Sequence, residues 1–231
     1  FVGPRTVFEG SHGLFFGFAH TADGKYSELT DGFGRQWRMQ GLTFKPFATG
    51  TMNQPYIDCA LRLAKRGFAA EDVAEVLCET AEGYVHRLWE PLAAKQRPPN
   101  DYAAKFSTPF NIAVAFVTGG AGLDAFTERT VGDARILALA GKVRYVVDPY
   151  NPYPGAFTGH VKMALKDGRV FEERQPHIRG GVHEPLSREE IERKFRGNAA
   201  YGGWPAPLTD KFLAFAKDAF NVPLDLSPFR R

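Results

Sequence analysis

From residue 54 onward the apolar positions of the chain fall into runs whose period switches between helical and extended. Ile57, Ala60, Leu61 and Ala64 recur at i, i+3, i+4, i+7, which is one face of a helix. Asn53 is a fitting N-cap for it, Pro55 is tolerated in the first turn, and Gly67 stops it. Val73 to Thr80 reads as a strand, and Tyr84 to Leu88 as a second. Ser107 caps a helix carrying Phe110, Ala113, Val114 and Val117 on one face, and Gly119-Gly120 ends it. Ala134 to Ala140 is a short helix, and Lys142 to Val147 a strand closed by Asp148-Pro149. Val161, Met163 and Leu165 alternate with small or polar residues. Asp167-Gly168 is a hairpin signal, and Arg169 to Arg174 is the return strand. Ser187 with Glu190 forms a capping box, and Leu186 with Ile191 a hydrophobic staple, for a helix running to about Arg196. A last helix follows Thr209, with Phe212, Phe215, Ala216, Ala219 and Phe220 apolar and Pro223 just past its end.

Before residue 42 the pattern is less regular, helical at first and then loop-like. Glu9 to Phe18 sets Leu14, Phe15, Phe16 and Phe18 among glycines, more apolar surface than so short a segment can bury against itself. His12, beside a glycine, reads as a packing or capping residue. Trp37 to Phe44 is expected to be a strand that delivers Lys45.

Composition narrows the function classes. With 231 residues and 44% hydrophobic content the chain can bury a sizeable core, so disorder is excluded as the default. A net charge of +3, with no basic run, argues against nucleic acid as a partner. No apolar stretch approaches the roughly 20 residues that span a bilayer, so no membrane partner is expected. No signal peptide is expected from these residues. Cys59 and Cys78 lie in apolar patterns without a C-x-x-C pair, and buried reduced thiols in a cytoplasm are the expectation. The chain begins at Phe1 rather than Met, and is expected to be a piece or a processed product.

The candidate chemistry lies in the segment 44–58. Lys45 precedes a turn of small and hydroxyl residues, Thr49, Gly50 and Thr51, and a helix N-terminus follows. A full charge and unpaired helix N–H groups in one place suit an anionic small molecule. Lys105 stands in the same relation to the helix that Ser107 caps. Two such sites facing one cleft suit a substrate with several carboxylates. His177 and His183, in a glycine loop without a third ligand nearby, do not make a metal site, and none is expected.

Several phrases together resemble one family. Glu9-Gly10 with Gly13-Leu14-Phe15-Phe16, Phe44-Lys45-Pro46-Phe47 with Pro55-Tyr56-Ile57-Asp58, and Lys105-Phe106-Ser107-Thr108-Pro109-Phe110 resemble the MmgE/PrpD family. So do Leu165-Lys166-Asp167-Gly168-Arg169, Pro185-Leu186-Ser187 and Lys194-Phe195. The family includes 2-methylcitrate dehydratase, cis-aconitate decarboxylase and iminodisuccinate epimerase.

The resemblance implies an α+β fold: a lid domain of mixed helices and antiparallel strands, flanked by helices of an all-helical domain whose upstream part would precede Phe1. It assigns residues 1–41 and 184–231 to the helical domain and 42–183 to the lid. It implies proton transfer next to a carboxylate of a small di- or tricarboxylate, without metal or organic cofactor, in a cytoplasmic homodimer or in association with the upstream helical region. Lys45 would bind a carboxylate or the developing enolate, and Thr49, Gly50 and Thr51 would donate hydrogen bonds to it. Lys105 or Arg87 would neutralise a second carboxylate. Where the family has a histidine after the lysine, this chain has Gly50 or Gln54. Where it has a tyrosine, this chain has Phe110. Glycine and phenylalanine transfer no proton and glutamine only hydrogen-bonds, so His86 is the candidate replacement. The alternative is a carboxylate-binding or structural module without catalysis.

Overall fold

The structure is a computed structural model that describes residues 7–230, so residues 1–6 of the expected first helical span lie outside the described residues. The chain divides into two compact units, Phe1–Leu42 and Thr43–Arg231.

In the first unit, α1 (Leu14–Ala19) and α2 (Ser27–Thr30) are followed by a 3-10 turn, Arg38–Gly41. The Phe15 ring meets Tyr26 edge-on at 5.1 Å. The expected strand from Trp37 to Phe44 does not form. Its apolar residues sit at 37 and 39, then at 42 and 44, so the period-2 register slips at Gly41, inside the 3-10 turn.

The second unit opens with the bend 45–50, a 3-10 turn Thr51–Asn53 and α3 (Gln54–Ala64). β1 (Val73–Thr80) follows. The expected strand from Tyr84 to Leu88 is instead a 3-10 turn, Glu82–Tyr84, and a π-helical turn, Val85–Trp89. Its buried residues are Tyr84, Leu88 and Trp89, a helical spacing that the short apolar run concealed. The chain continues through α4 (Leu92–Gln96), α5 (Asp101–Ala104), α6 (Thr108–Thr118), α7 (Glu128–Val131) and α8 (Ala134–Ala140). Ser107 caps α6 by accepting from Phe110 N, and Gly119 ends it in the left-handed region at φ 75°.

β2 (Val143–Val147), β3 (Gly159–Leu165) and β4 (Val170–Gln175) complete a mixed sheet of order β2-β1-β3-β4. β1 pairs antiparallel with β3, and β3 with β4. β1 pairs parallel with β2, Val76 opposite Val143, so the sheet is not wholly antiparallel as expected. The helical crossover between these strands brings β2 back in the same direction. α3 packs on β3 and β4 and on α6, and α6 packs on α8. Tyr56, Ile57, Leu63, Val76, Phe110, Ile112 and Met163 form the centre of this core.

α9 (Arg188–Tyr201) begins with the expected capping box and runs a turn past Arg196. α10 (Ala206–Asp218) starts before Thr209, behind Pro205. Phe212 and Phe215 are partly covered by a cluster with Phe195, Trp204 and Phe229. Phe220 lies beyond the helix and is fully exposed.

Candidate functional site

Two buried amides shape the turn after Lys45. Gln54, the first residue of α3, accepts from Phe47 N at 3.1 Å and donates to Phe47 O and Thr49 O, both at 3.2 Å. Asn53 does not cap the helix with its side chain. It donates to Thr49 Oγ1 at 3.2 Å and to Lys105 O at 3.1 Å, and accepts from Thr108 Oγ1 at 2.7 Å. The Lys105 carbonyl also accepts from Thr49 Oγ1 at 2.6 Å and from Gly50 N at 3.1 Å. Three donors from the first turn thus converge on one carbonyl of the second.

This junction places Lys45 and Lys105 on the wall of one cavity of about 550 Å3. Thr49, Gly50, Thr51, Arg87, Tyr102, Phe106, Tyr153 and Phe157 are among its other lining residues. Lys45 Nζ donates to Thr49 O at 3.3 Å. Lys95 supports the far side by donating to Arg87 O at 2.5 Å and Phe106 O at 2.9 Å, and burial lowers its ammonium pKa. Ser107 Oγ in turn donates to the Lys95 carbonyl. The Tyr153 ring packs against Tyr84 at 4.6 Å, and it comes so near Gly83 that a Cβ there would lie 2.5 Å from the ring.

Among the described residues the lining holds three cations, Lys45, Arg87 and Lys105, and no carboxylate. That electrostatic imbalance, in a half-enclosed cavity, favours a ligand with more than one negative charge. The hydrogen-bond donors expected of Thr49 and Gly50 are committed to the Lys105 carbonyl rather than to the cavity.

The other sequence candidates fall elsewhere. Gln54 is fully buried and holds the turn. Phe110 is fully buried, its ring 6.3 Å from that of Phe126. His86 is exposed and does not line the cavity. Gly50 leaves room: a Cβ there would stand in ordinary contact, 3.6 Å from Lys105 O and from the Phe106 ring. Tyr102 and Tyr153 escaped the sequence reading because each lies in a segment remote from Lys45, and neither carries a local signal. The His177 and His183 rings meet at a tilt of 31°, their centroids 4.8 Å apart. Among the described residues no group of three His, Cys, Asp or Glu side chains is placed to hold a metal. Both cysteines are free and buried, and burial pushes the Cys59 thiol up to about 12. No described helix is long and apolar enough to cross a membrane.

The cis-aconitate decarboxylase of Homo sapiens is 29% identical over 104 residues, covering 45% of this chain and 22% of that protein. The cis-aconitate decarboxylase of Mus musculus is 30% identical over 105 residues, covering 45% of this chain and 21% of that protein. The matched stretch is thus less than a quarter of either relative. Residues 47–204 match the MmgE/PrpD C-terminal domain. With that domain spanning most of its length, Lys105 included, the chain belongs to the MmgE/PrpD family.

Proposed function

We propose that the cavity between Lys45, Arg87 and Lys105 binds a small di- or tricarboxylate, and that the chain is the C-terminal part of a cofactor-independent lyase, hydratase or epimerase. The observation that carries this is the charge of the lining, three cations without an acid. Lys45 holds one carboxylate and the negative charge that develops when a proton leaves the adjacent carbon. Arg87 and Lys105 hold a second carboxylate. The similarity to cis-aconitate decarboxylases supports an unsaturated or hydroxylated tricarboxylate as the guest. In this reading the protein works in the cytoplasm, either as a homodimer or docked to an upstream helical region. The exposed Phe18 and Phe220 suit such an association.

A second reading is favoured by one observation. Among the described residues the lining has no imidazole and no carboxylate, and its proton-transfer groups are the amines of Lys45 and Lys105 and the phenols of Tyr102 and Tyr153. A module that binds a carboxylate without turning it over also fits.

Solvent deuterium exchange by NMR separates the two. The chain is incubated in D2O with cis-aconitate or citrate, alone and with the helical region of a family member supplied. Exchange next to a carboxylate that disappears in Lys45→Ala supports the enzyme. Citrate binding that depends on Lys45, with no exchange under either condition, supports the module. Binding that is unchanged in Lys45→Ala overturns both.

A further inference from the structure

The segment that carries Lys45 is fixed on two sides. From within, Gln54 grips the Phe47 backbone. From without, the loop after β4 reaches back over it. Phe44 N donates to Gly180 O at 3.0 Å, and Gly180 N donates to Glu184 O at 2.7 Å. Gly180 sits at φ 91°, and a Cβ on it would stand 2.0 Å from Phe44 O. Only a glycine lets the loop approach the backbone this closely.

The neighbouring Arg179 ties this loop to two helices. Its Nε donates to Asp58 Oδ1 of α3 at 2.8 Å, and its Nη1 to Glu190 Oε1 of α9 at 2.7 Å. The guanidinium lies over the Phe47 ring, 5.5 Å from its centroid. The Asp58 side chain is 6% exposed, and its second oxygen has no hydrogen-bond partner. Burial raises the Asp58 carboxyl, and Arg179, the one arginine hydrogen-bonded to it, opposes that shift together with the more distant charge of Arg62. Neither Arg179 nor Gly180 lines the cavity that holds Lys45.

We propose that Arg179 and Gly180 are positioning residues for Lys45. They hold the residues on either side of it, Phe44 through the Gly180 carbonyl and Phe47 through the guanidinium, and so fix where the ammonium group stands in the cavity. This rests on the reading of the cavity as a carboxylate site. A lysine on an unanchored loop would spend binding energy on being ordered, and one fixed in advance does not.

The test uses the 231-residue chain, with its lysines converted to 13C-dimethyl-lysine, and citrate as the probe. Arg179→Met removes the clamp's charge. Arg179→Lys keeps a charge that reaches Asp58 alone. Gly180→Ala removes no charge and pushes on the Phe44 carbonyl. The expected result is a shifted Lys45 methyl signal in Arg179→Met and Gly180→Ala, with the Lys105 signal unmoved. A Kd for citrate raised roughly tenfold, as for one lost charged hydrogen bond, should accompany it. Arg179→Lys should recover part of both. A merely structural role would move both lysine signals or neither.

The proposal is overturned if folded Arg179→Met and Gly180→Ala each keep the wild-type Lys45 signal and Kd. If Arg179→Met does not fold, Gly180→Ala decides by the same two readings. If Lys45→Ala itself binds citrate like wild type, the carboxylate reading falls, and the Lys45 signal alone decides whether the clamp exists.

Discussion

Gln54→Leu is the substitution that best separates a residue that builds the cavity from one that contacts its guest. Leucine is close in volume to glutamine but offers no hydrogen bonds. The change strands the Phe47 N–H in a buried setting, which costs about 1–3 kcal/mol. It also takes a donor from Phe47 O, at about 0.5–1.5 kcal/mol, while Thr49 O keeps Lys45 Nζ. The sum is about 1.5–4.5 kcal/mol, or a fall in Tm of roughly 3–18 °C for a unit of this size. Differential scanning calorimetry measures it. Gln54→Glu should fall in the same range, because a carboxylate accepts from Phe47 N but cannot donate to the two carbonyls. The reasoning is refuted if Gln54→Leu unfolds within about 0.5 kcal/mol of wild type. It is refuted equally if citrate affinity drops with no change in Tm, since Gln54 would then be a contact to the ligand.

Other consequences are open to direct measurement. Lys105→Ala should leave stability within about 0.5 kcal/mol, because the junction uses its carbonyl, yet weaken citrate binding roughly tenfold by calorimetry. Gly50→His should fold, since a Cβ is accommodated there, and circular dichroism with a melting curve checks this. Burial alone would raise the Glu173 carboxyl, but hydrogen bonds from Arg66 and Arg62 outweigh it and hold the group below 4.5. Its stabilisation is therefore present above that value and lost as pH falls through the folded pKa, and Glu173→Gln should flatten this acid limb in denaturant titrations. With burial raising both thiols, Cys59 to about 12, neither should react with a maleimide at pH 7 until the chain unfolds, as mass spectrometry would show.

The elements legible in the sequence are those whose signals are local. The 3.6-residue apolar period marks α3 and α6, caps mark α6 and α9, and Asp167-Gly168 marks the β3–β4 hairpin. What could not be read depends on partners far along the chain. Trp37 to Phe44 has strand-like residues, but a strand exists only when another one pairs with it. Tyr84 to Trp89 is too short for its period to be told apart, and its π-turn is settled by what Leu88 and Trp89 bury. The parallel pairing of β1 with β2 follows from the crossover between them.

The site divides in the same way. Lys45 and Lys105 were visible because each precedes a helix start, and Arg87 was found by charge alone. Asn53 reads as a cap and Gln54 as a hydrogen-bonding residue at the family's histidine position, because an amide near a helix start looks alike in sequence whether it serves its own helix, another stretch of backbone or a ligand. Arg179 gave no sign, since its partners Asp58 and Glu190 are distant in sequence.

The Lys105 carbonyl also bears on how the cavity could be remade. The three donors that join its two halves meet a backbone oxygen, which every amino acid possesses. The architecture at position 105 is therefore independent of the side chain mounted there. A designer could install glutamate, glutamine or an aromatic residue at that place and keep the same enclosure, exchanging the head group it selects as one changes a fitting on a fixed frame.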